Sequence, residues 1–273
     1  MSADANTTTG IKPPFFIAGC ARSGTTILRD LLRRVPHLEC PEETHFFRWP
    51  DPFRTKRYGL YFQNIKLFAR HRELDNITDS EFVDLLDSSF TRAELMERYA
   101  RLHCRRRGNP SARWFDKTPQ NVYGILMIAA QFPASPIIHI HRNPLNVVAS
   151  LLTGKVMPKQ PFPGAVNYWL ESAQIMDQFR RANPQRLLDV SYERLGAEPD
   201  ATLREILEFV GEDPAAARIQ SSDGHPETNK YTCVMTLYQI DEVCRRCEPY
   251  MARLGYHAPQ PAGAAPAGAG TRG

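Results

Sequence analysis

The chain has 273 residues, 42% of them hydrophobic and 23% charged. That balance excludes a disordered or membrane-embedded chain and allows one large domain, or two small ones, around a substantial core. Its formal charge of +4 suits an anionic ligand but is too small to indicate nucleic acid.

In chain order, residues 1–13 are polar and read as a flexible tail. They hold no apolar segment of a secretory signal, and no later run reaches the roughly 18 apolar residues of a bilayer span; a cytoplasmic protein without a membrane span is expected. A first strand is expected over 15–18, then a glycine-bearing turn and a helix through about Arg34, stopped by Pro36. Residues 51–110 carry helical patterns without strands, and Thr78-x-x-Glu81 and Thr91-x-x-Glu94 mark two helix starts by the capping-box pattern. This block reads as a helical insertion on a sheet.

A short strand end at Trp114 to Asp116 precedes a helix over about 120–131. The apolar run 137–141 is the clearest buried strand, with Pro144 at a first helical position. A long helix is expected over 165–181, a strand over 187–190, a helix over 201–210 and a final helix over 236–254 that stops at Gly255. That last helix contains Cys244 and Cys247, a CxxC pair with no second pair near it, so no zinc site is expected and the six cysteines read as free thiols. Residues 258–273 are almost wholly Ala, Pro and Gly and form a second flexible tail. Strands alternating with amphipathic helices make 14–257 a single α/β domain.

The turn after the first strand reads Gly19-Cys20-Ala21-Arg22-Ser23-Gly24-Thr25-Thr26. Two glycines at this spacing let the backbone curl so that its N–H groups face an anion, and a helix N-terminus adds a favourable dipole. A Walker loop would have Lys after the second glycine; here that position is Thr25, and the cation is Arg22, inside the loop. With no Walker-B acid at a strand end, a nucleoside triphosphate fits poorly. A single 5'-phosphate carrying a small anionic group fits better, and an ordinary glycine turn is the bland alternative.

These residues, continuing through Ile27-Leu28, resemble the 5'-phosphosulfate loop of sulfotransferases that use PAPS (3'-phosphoadenosine 5'-phosphosulfate). The Arg-Ser-Gly-Thr-Thr core and the following Cys40-Pro41-Glu42-Glu43-Thr44 are most similar to the tyrosylprotein sulfotransferases and their bacterial relatives. His139-Ile140-His141-Arg142-Asn143-Pro144, with Ser150 eight residues after Arg142, is similar to the family's 3'-phosphate motif. The likeness is good over residues 14–46 and 113–152 and weak in the last third.

The resemblance implies a P-loop-type three-layer fold, a central parallel sheet flanked by helices. It also implies sulfuryl transfer from PAPS to an acceptor hydroxyl, releasing PAP, with no metal. Arg22, Ser23, Gly24, Thr25 and Thr26 would hold the 5' side, Arg142 and Ser150 the 3'-phosphate, and Tyr192 of a Tyr-Glu pair the region of the adenine. Lys230 would belong to a basic segment that closes over the nucleotide. Arg22 and Lys117 would stabilise charge on the leaving phosphate, and Glu43 would be the base, with His45 as a second candidate. Ser221 and Ser222 align loosely with a serine near the transferring group. His139 and His141 read as structural, and Arg105-Arg106-Arg107 as a solvated helix end.

The acceptor stays open between a peptide tyrosine or phenol and a carbohydrate, lipid or small-metabolite alcohol, and the oligomeric state is unread. A P-loop nucleotide kinase or NTPase, and a non-catalytic PAP-binding protein, are the competing functions. The kinase would leave Arg142 and Ser150 without a role, and the non-catalytic binder would not need Glu43 and Lys117.

Overall fold

The computed structural model describes residues 12–154 and 157–259. Most of both expected tails lies outside these residues. Lys12 and Pro13, included in the expected N-terminal tail, are instead fastened: Lys12 Nζ pairs with Glu212 at 2.9 Å, and Arg113 Nε donates to the Pro13 carbonyl at 2.7 Å.

Five parallel strands form one sheet in the order β2-β3-β1-β4-β5. β1 (Phe15–Ala18) lies at the centre, with Ile17 opposite Lys117 of β3 (Arg113–Lys117) and Ala18 opposite His139 of β4 (Ile137–His141). β2 (Leu38–Glu39) and β5 (Leu187–Ser191) form the edges. The two-residue β2 was not expected from the sequence.

Alternation along the strands divides the core. Phe15, Ile17, Phe115, Ile138, Ile140 and Val190 face α1 (Thr25–Leu32) and α10 (Pro199–Phe209), with Phe15 and Phe115 stacked at 4.7 Å. On the other face Phe16 and Trp114 meet α5 (Arg92–Arg106) and α6 (Ile125–Gln131), while Ala18, Ile137 and Leu187 meet α8 (Phe162–Ala182).

The block 51–110 is the crossover from β2 to β3. Its helices are α2 (Lys56–Asn64), α3 (Lys66–Leu74), α4 (Asp79–Ser88) and α5, packed around an aromatic core that includes Phe46, Tyr58, Phe62, Phe68, Phe82 and Tyr99. Thr78 and Glu81 form the complete capping box at α4. At α5, Thr91 caps the Glu94 N–H, but the Glu94 carboxylate accepts from the Phe90 N–H instead of that of Thr91.

A 3₁₀ turn (Pro119–Gly124) replaces the first half of the helix expected from residue 120. α7 (Pro144–Thr153) begins at Pro144, and the Asn143 side chain caps it. Among the described residues the remaining α-helices are α9 (Tyr192–Ala197), α11 (Tyr231–Val234) and α12 (Leu237–Arg253), the last passing through Pro249. None of the described helices is long and apolar enough to cross a membrane.

Candidate active site

The five described strands all run in parallel, so their C-terminal ends open on one edge, where an open α/β sheet binds ligands. The phosphate loop follows β1, Glu43 lies just beyond β2, Lys117 closes β3, Arg142 follows β4 and Tyr192 follows β5.

Two close approaches explain the glycines of the loop. A Cβ on Gly19 would stand 2.2 Å from the Ile140 carbonyl oxygen, and one on Gly24 would stand 2.3 Å from the Tyr192 ring, with Gly24 at φ +91°. Arg22 has φ +75°, a left-handed conformation costly for a side-chain-bearing residue and stored at functional sites. Ser23 is fully buried and its Oγ has no hydrogen-bond partner. Beyond it, α1 starts with unshared backbone N–H groups, since its first helical bond is from Leu28 to Gly24. Arg22, Gly24, Thr25, Thr26, Ile27, Arg142 and Tyr192 line a cleft of about 150 Å³.

Arg22 also joins Arg142 and Ser150, the two parts of the expected 3'-phosphate motif. Its Nε donates to Ser150 Oγ at 3.0 Å, and its carbonyl accepts from Arg142 Nη1 at 3.2 Å. Burial and the nearby Arg142 charge both depress the Arg22 guanidinium from its ordinary value, which is the mark of a place that favours an anion. The Arg142 guanidinium lies 4.3 Å over the Tyr192 ring, and Trp169 Nε1 holds the Arg142 carbonyl at 3.0 Å. Tyr192 itself contacts His225 edge-on at 5.2 Å. Among the described residues no hydrogen bond or ion pair joins Arg22 to Lys117 or Glu43. Its side chain is turned toward Ser150.

Lys117 is 1% exposed although it carries a charge. Its ammonium donates to Glu43 Oε1 at 2.5 Å and lies 3.4 Å from Thr26 Oγ1 in the phosphate loop. His45 Nε2 faces the other carboxylate oxygen at 3.4 Å, at the outer limit of a hydrogen bond. Burial pushes Glu43 up, but the His45 ring and the Lys117 ammonium outweigh it and hold the carboxyl down at about 2. Burial lowers His45 below its ordinary value, so it is a neutral imidazole at pH 7.

The loop bearing Glu43 is fixed on every side. Glu42 binds Arg29 at 2.7 Å and Arg33 at 3.1 Å, and its N–H donates to Asp75. The Thr44 hydroxyl donates to Asp116 at 2.9 Å, and Thr118 Oγ1 accepts from the Thr44 N–H at 3.1 Å. Burial raises Asp116 to about 6.

Several expected residues stand apart. Lys230 is exposed just ahead of α11, and Ser222 is exposed in the preceding segment; the Ser221 side chain lies outside the described residues. His139 pairs with Asp189 at 2.7 Å and His141 with Tyr256 at 2.8 Å, in the layer that packs on α8. Arg106 pairs with Glu81 at the end of α5, and the adjacent arginines are exposed. Among the described residues no group of three His, Cys, Asp or Glu is placed to hold a metal.

Sequence reasoning missed Glu227, whose carboxylate takes Arg142 Nε and Nη2 at 2.6 and 2.8 Å. Eighty-five residues separate the two, and no local spacing signals such a pair.

A family model described as "Sulfotransferase family" matches residues 13–215. A protein-tyrosine sulfotransferase of Caenorhabditis elegans is 27% identical over 203 residues, covering 72% of this chain and 50% of the relative. The chain thus spans about half the length of that relative. An omega-hydroxy-beta-dihydromenaquinone-9 sulfotransferase of Mycobacterium bovis is 24% identical, covering 93% of this chain and 79% of the relative. Among solved structures, the sulfotransferase domain of the Synechococcus olefin synthase superposes with a TM-score of 0.64 at 20% identity, covering 90% of this chain and 96% of that one. The likeness in fold and the family model's span over most of the chain agree with the loop and anchor geometry: the chain belongs to the sulfotransferase family.

Proposed function

We propose that the protein transfers a sulfuryl group from PAPS to an acceptor hydroxyl and releases PAP. The observation that carries this reading is the position of Lys117, whose buried ammonium bridges the Glu43 carboxylate and the Thr26 hydroxyl of the phosphate loop. A proton acceptor, a cation and an anion cradle therefore meet at one point. The residues present fit the donor: Ser23 Oγ is buried and unpartnered, and burial and the neighbouring Arg142 depress the Arg22 guanidinium, which an anion in the cleft would offset.

PAPS supplies an electrophilic sulfur and a phosphate leaving group. The loop from Ser23 to Thr26 holds the 5' end, Arg142 and Ser150 hold the 3'-phosphate, and Tyr192 closes the cleft over Gly24. Lys230 is retained as an outer contact. Glu43 takes the proton of the acceptor hydroxyl while its oxygen bonds to sulfur and the bond from sulfur to the bridging oxygen breaks. Lys117 leaves Glu43 for that bridging oxygen, which stabilises the leaving charge and restores basicity to the carboxylate. Fixed cations suffice for this transfer, so no metal is invoked.

Both named relatives use a hydroxyl, a protein tyrosine in one and an omega-hydroxy group in the other, and a tyrosine-containing peptide is one acceptor to test. The cytoplasmic setting expected from the sequence, and a single catalytic domain over 14–257, belong to the same proposal.

The test is transfer of radiolabelled sulfate from PAPS to tyrosine peptides, phenols, sugars and lipids side by side. Label is expected in one acceptor class and is expected to fall about 10²–10⁴-fold in Glu43→Ala, the usual range for a general base. Arg142→Ala is expected to raise the KM for PAPS. Magnesium-dependent ATP binding without PAP binding would overturn the reading.

A further inference from the structure

The cation expected to hold the donor's 3'-phosphate already has an anion. Glu227 meets the Nε and Nη2 edge of Arg142 with both carboxylate oxygens, at 2.6 and 2.8 Å. This is the two-pronged geometry with which arginine holds phosphate. Nη1 is engaged by the Arg22 carbonyl and Ser150 Oγ by Arg22 Nε, so both 3' anchors are satisfied within the protein.

The segment bearing Glu227 is tied down on either side of it. Asp223 takes a bidentate pair from Arg34 at 2.5 and 2.9 Å. The His225 N–H donates to the Gly196 carbonyl at 2.9 Å, and Asn229 Oδ1 accepts from Asn146 at 3.2 Å. Beyond them Tyr231 is buried in the α7–α8–α12 core. Pro226 and Thr228 are exposed, while the Glu227 side chain is only 12% exposed. The fastenings leave a short arc whose one inward-reaching group is the carboxylate on Arg142.

We propose that Glu227 is a built-in competitor for the 3'-phosphate: it shares Arg142 with donor and product, weakens the grip on PAP and speeds its departure. The proposal rests on the PAPS reading of the cleft. A phosphate on the same edge of Arg142 must displace the carboxylate, so every binding event exchanges one anion for another. A nucleotide without a 3'-phosphate leaves the Arg142–Glu227 pair intact.

The test is binding of PAP and of AMP to the full chain and its Glu227→Gln variant, with Glu227→Ala as a second variant and thermal unfolding to confirm folding. In both variants the Kd for PAP is expected to fall about 10-fold, with most of the change in the dissociation rate, and the Kd for AMP to stay within twofold. PAP binding that is unchanged or weaker in both variants overturns the proposal and makes Glu227 a support for Arg142. An equal gain for PAP and AMP also overturns it, because the effect would then be general charge and not the 3'-phosphate. Absence of PAP binding in the wild-type protein overturns the PAPS reading itself, and this proposal with it.

Discussion

Glu43 is held by two neighbours of unlike kind, and only one of them is free to leave. Lys117 is a cation with a second partner in Thr26, whereas His45 is a neutral ring packed 4.6 Å from Phe68 and parallel to His71. With a folded value near 2 against an ordinary 4.5, Glu43 contributes stability that is present above pH 4.5 and lost as pH falls toward 2. Lys117→Met removes the cation and leaves the burial that pushes the carboxyl up. Its titration midpoint, followed by carbon-13 NMR, is expected to rise from about 2 toward or past 4.5; an unmoved midpoint would show that His45 alone holds it. At this scale the sequence disclosed the residues that lie in local motifs, namely the loop, Glu43, Lys117 and Arg142. It did not disclose their partners, because Arg22–Ser150 and Arg142–Glu227 join residues 128 and 85 positions apart, a separation that only the folded sheet edge brings together.

At the scale of elements, Glu43, the proposed base, is positioned by a loop that has no regular structure of its own. Thr118, between β3 and the 3₁₀ turn, accepts from the N–H groups of Thr44 and His45 at 3.1 and 3.4 Å and is fully buried. Thr118→Val keeps the shape and removes the acceptor, leaving buried N–H groups unpaired at a cost of about 1–3 kcal/mol. Denaturant unfolding is expected to show that loss. Because the proposed 3' anchor stands on other elements, kcat should fall while the Kd for PAP holds; a change in PAP binding instead would mean that the two halves of the site are not independent. The longer elements were legible because apolar periodicity and caps mark them, as at Thr78 and Pro144. β2 was not: Leu38 and Glu39 are too few to show alternation, and their strand character comes from pairing with Arg113 and Trp114. The helix expected at 120 begins instead as a 3₁₀ turn where Asn121 reaches back to Asp116 at 2.6 Å, a tertiary contact that no propensity encodes.

Across the whole molecule, one carboxylate joins segments far apart in sequence. Glu212 takes Lys12 at 2.9 Å, His37 at 2.7 Å and Arg113 at 2.6 Å, tying the stretch before β1, the turn after α1 and the start of β3 to the end of α10. Its place is set by the way α10 stops: Gly211 adopts φ +77°, its N–H returns to Glu208, and the Glu212 N–H returns to Leu207, a Schellman closure. Lys12 and His37 are about half exposed and add little, but the side chains of Arg113 and Glu212 are 7% and 4% exposed. Glu212→Gln therefore leaves the buried Arg113 charge uncompensated, and a loss of about 3–5 kcal/mol in unfolding free energy is expected. Glu212 is held below its ordinary value by these partners despite its burial. Its stabilisation is therefore complete above pH 4.5 and fades as pH falls through the lowered value; the deficit of Glu212→Gln should be full at pH 7 and shrink in acid. Arg113→Met paired with Glu212→Leu removes both charges together and should recover most of the loss. If the double variant unfolds as readily as the single one, Glu212 acts through Lys12 and His37, and the surface ties are what secure the central strand.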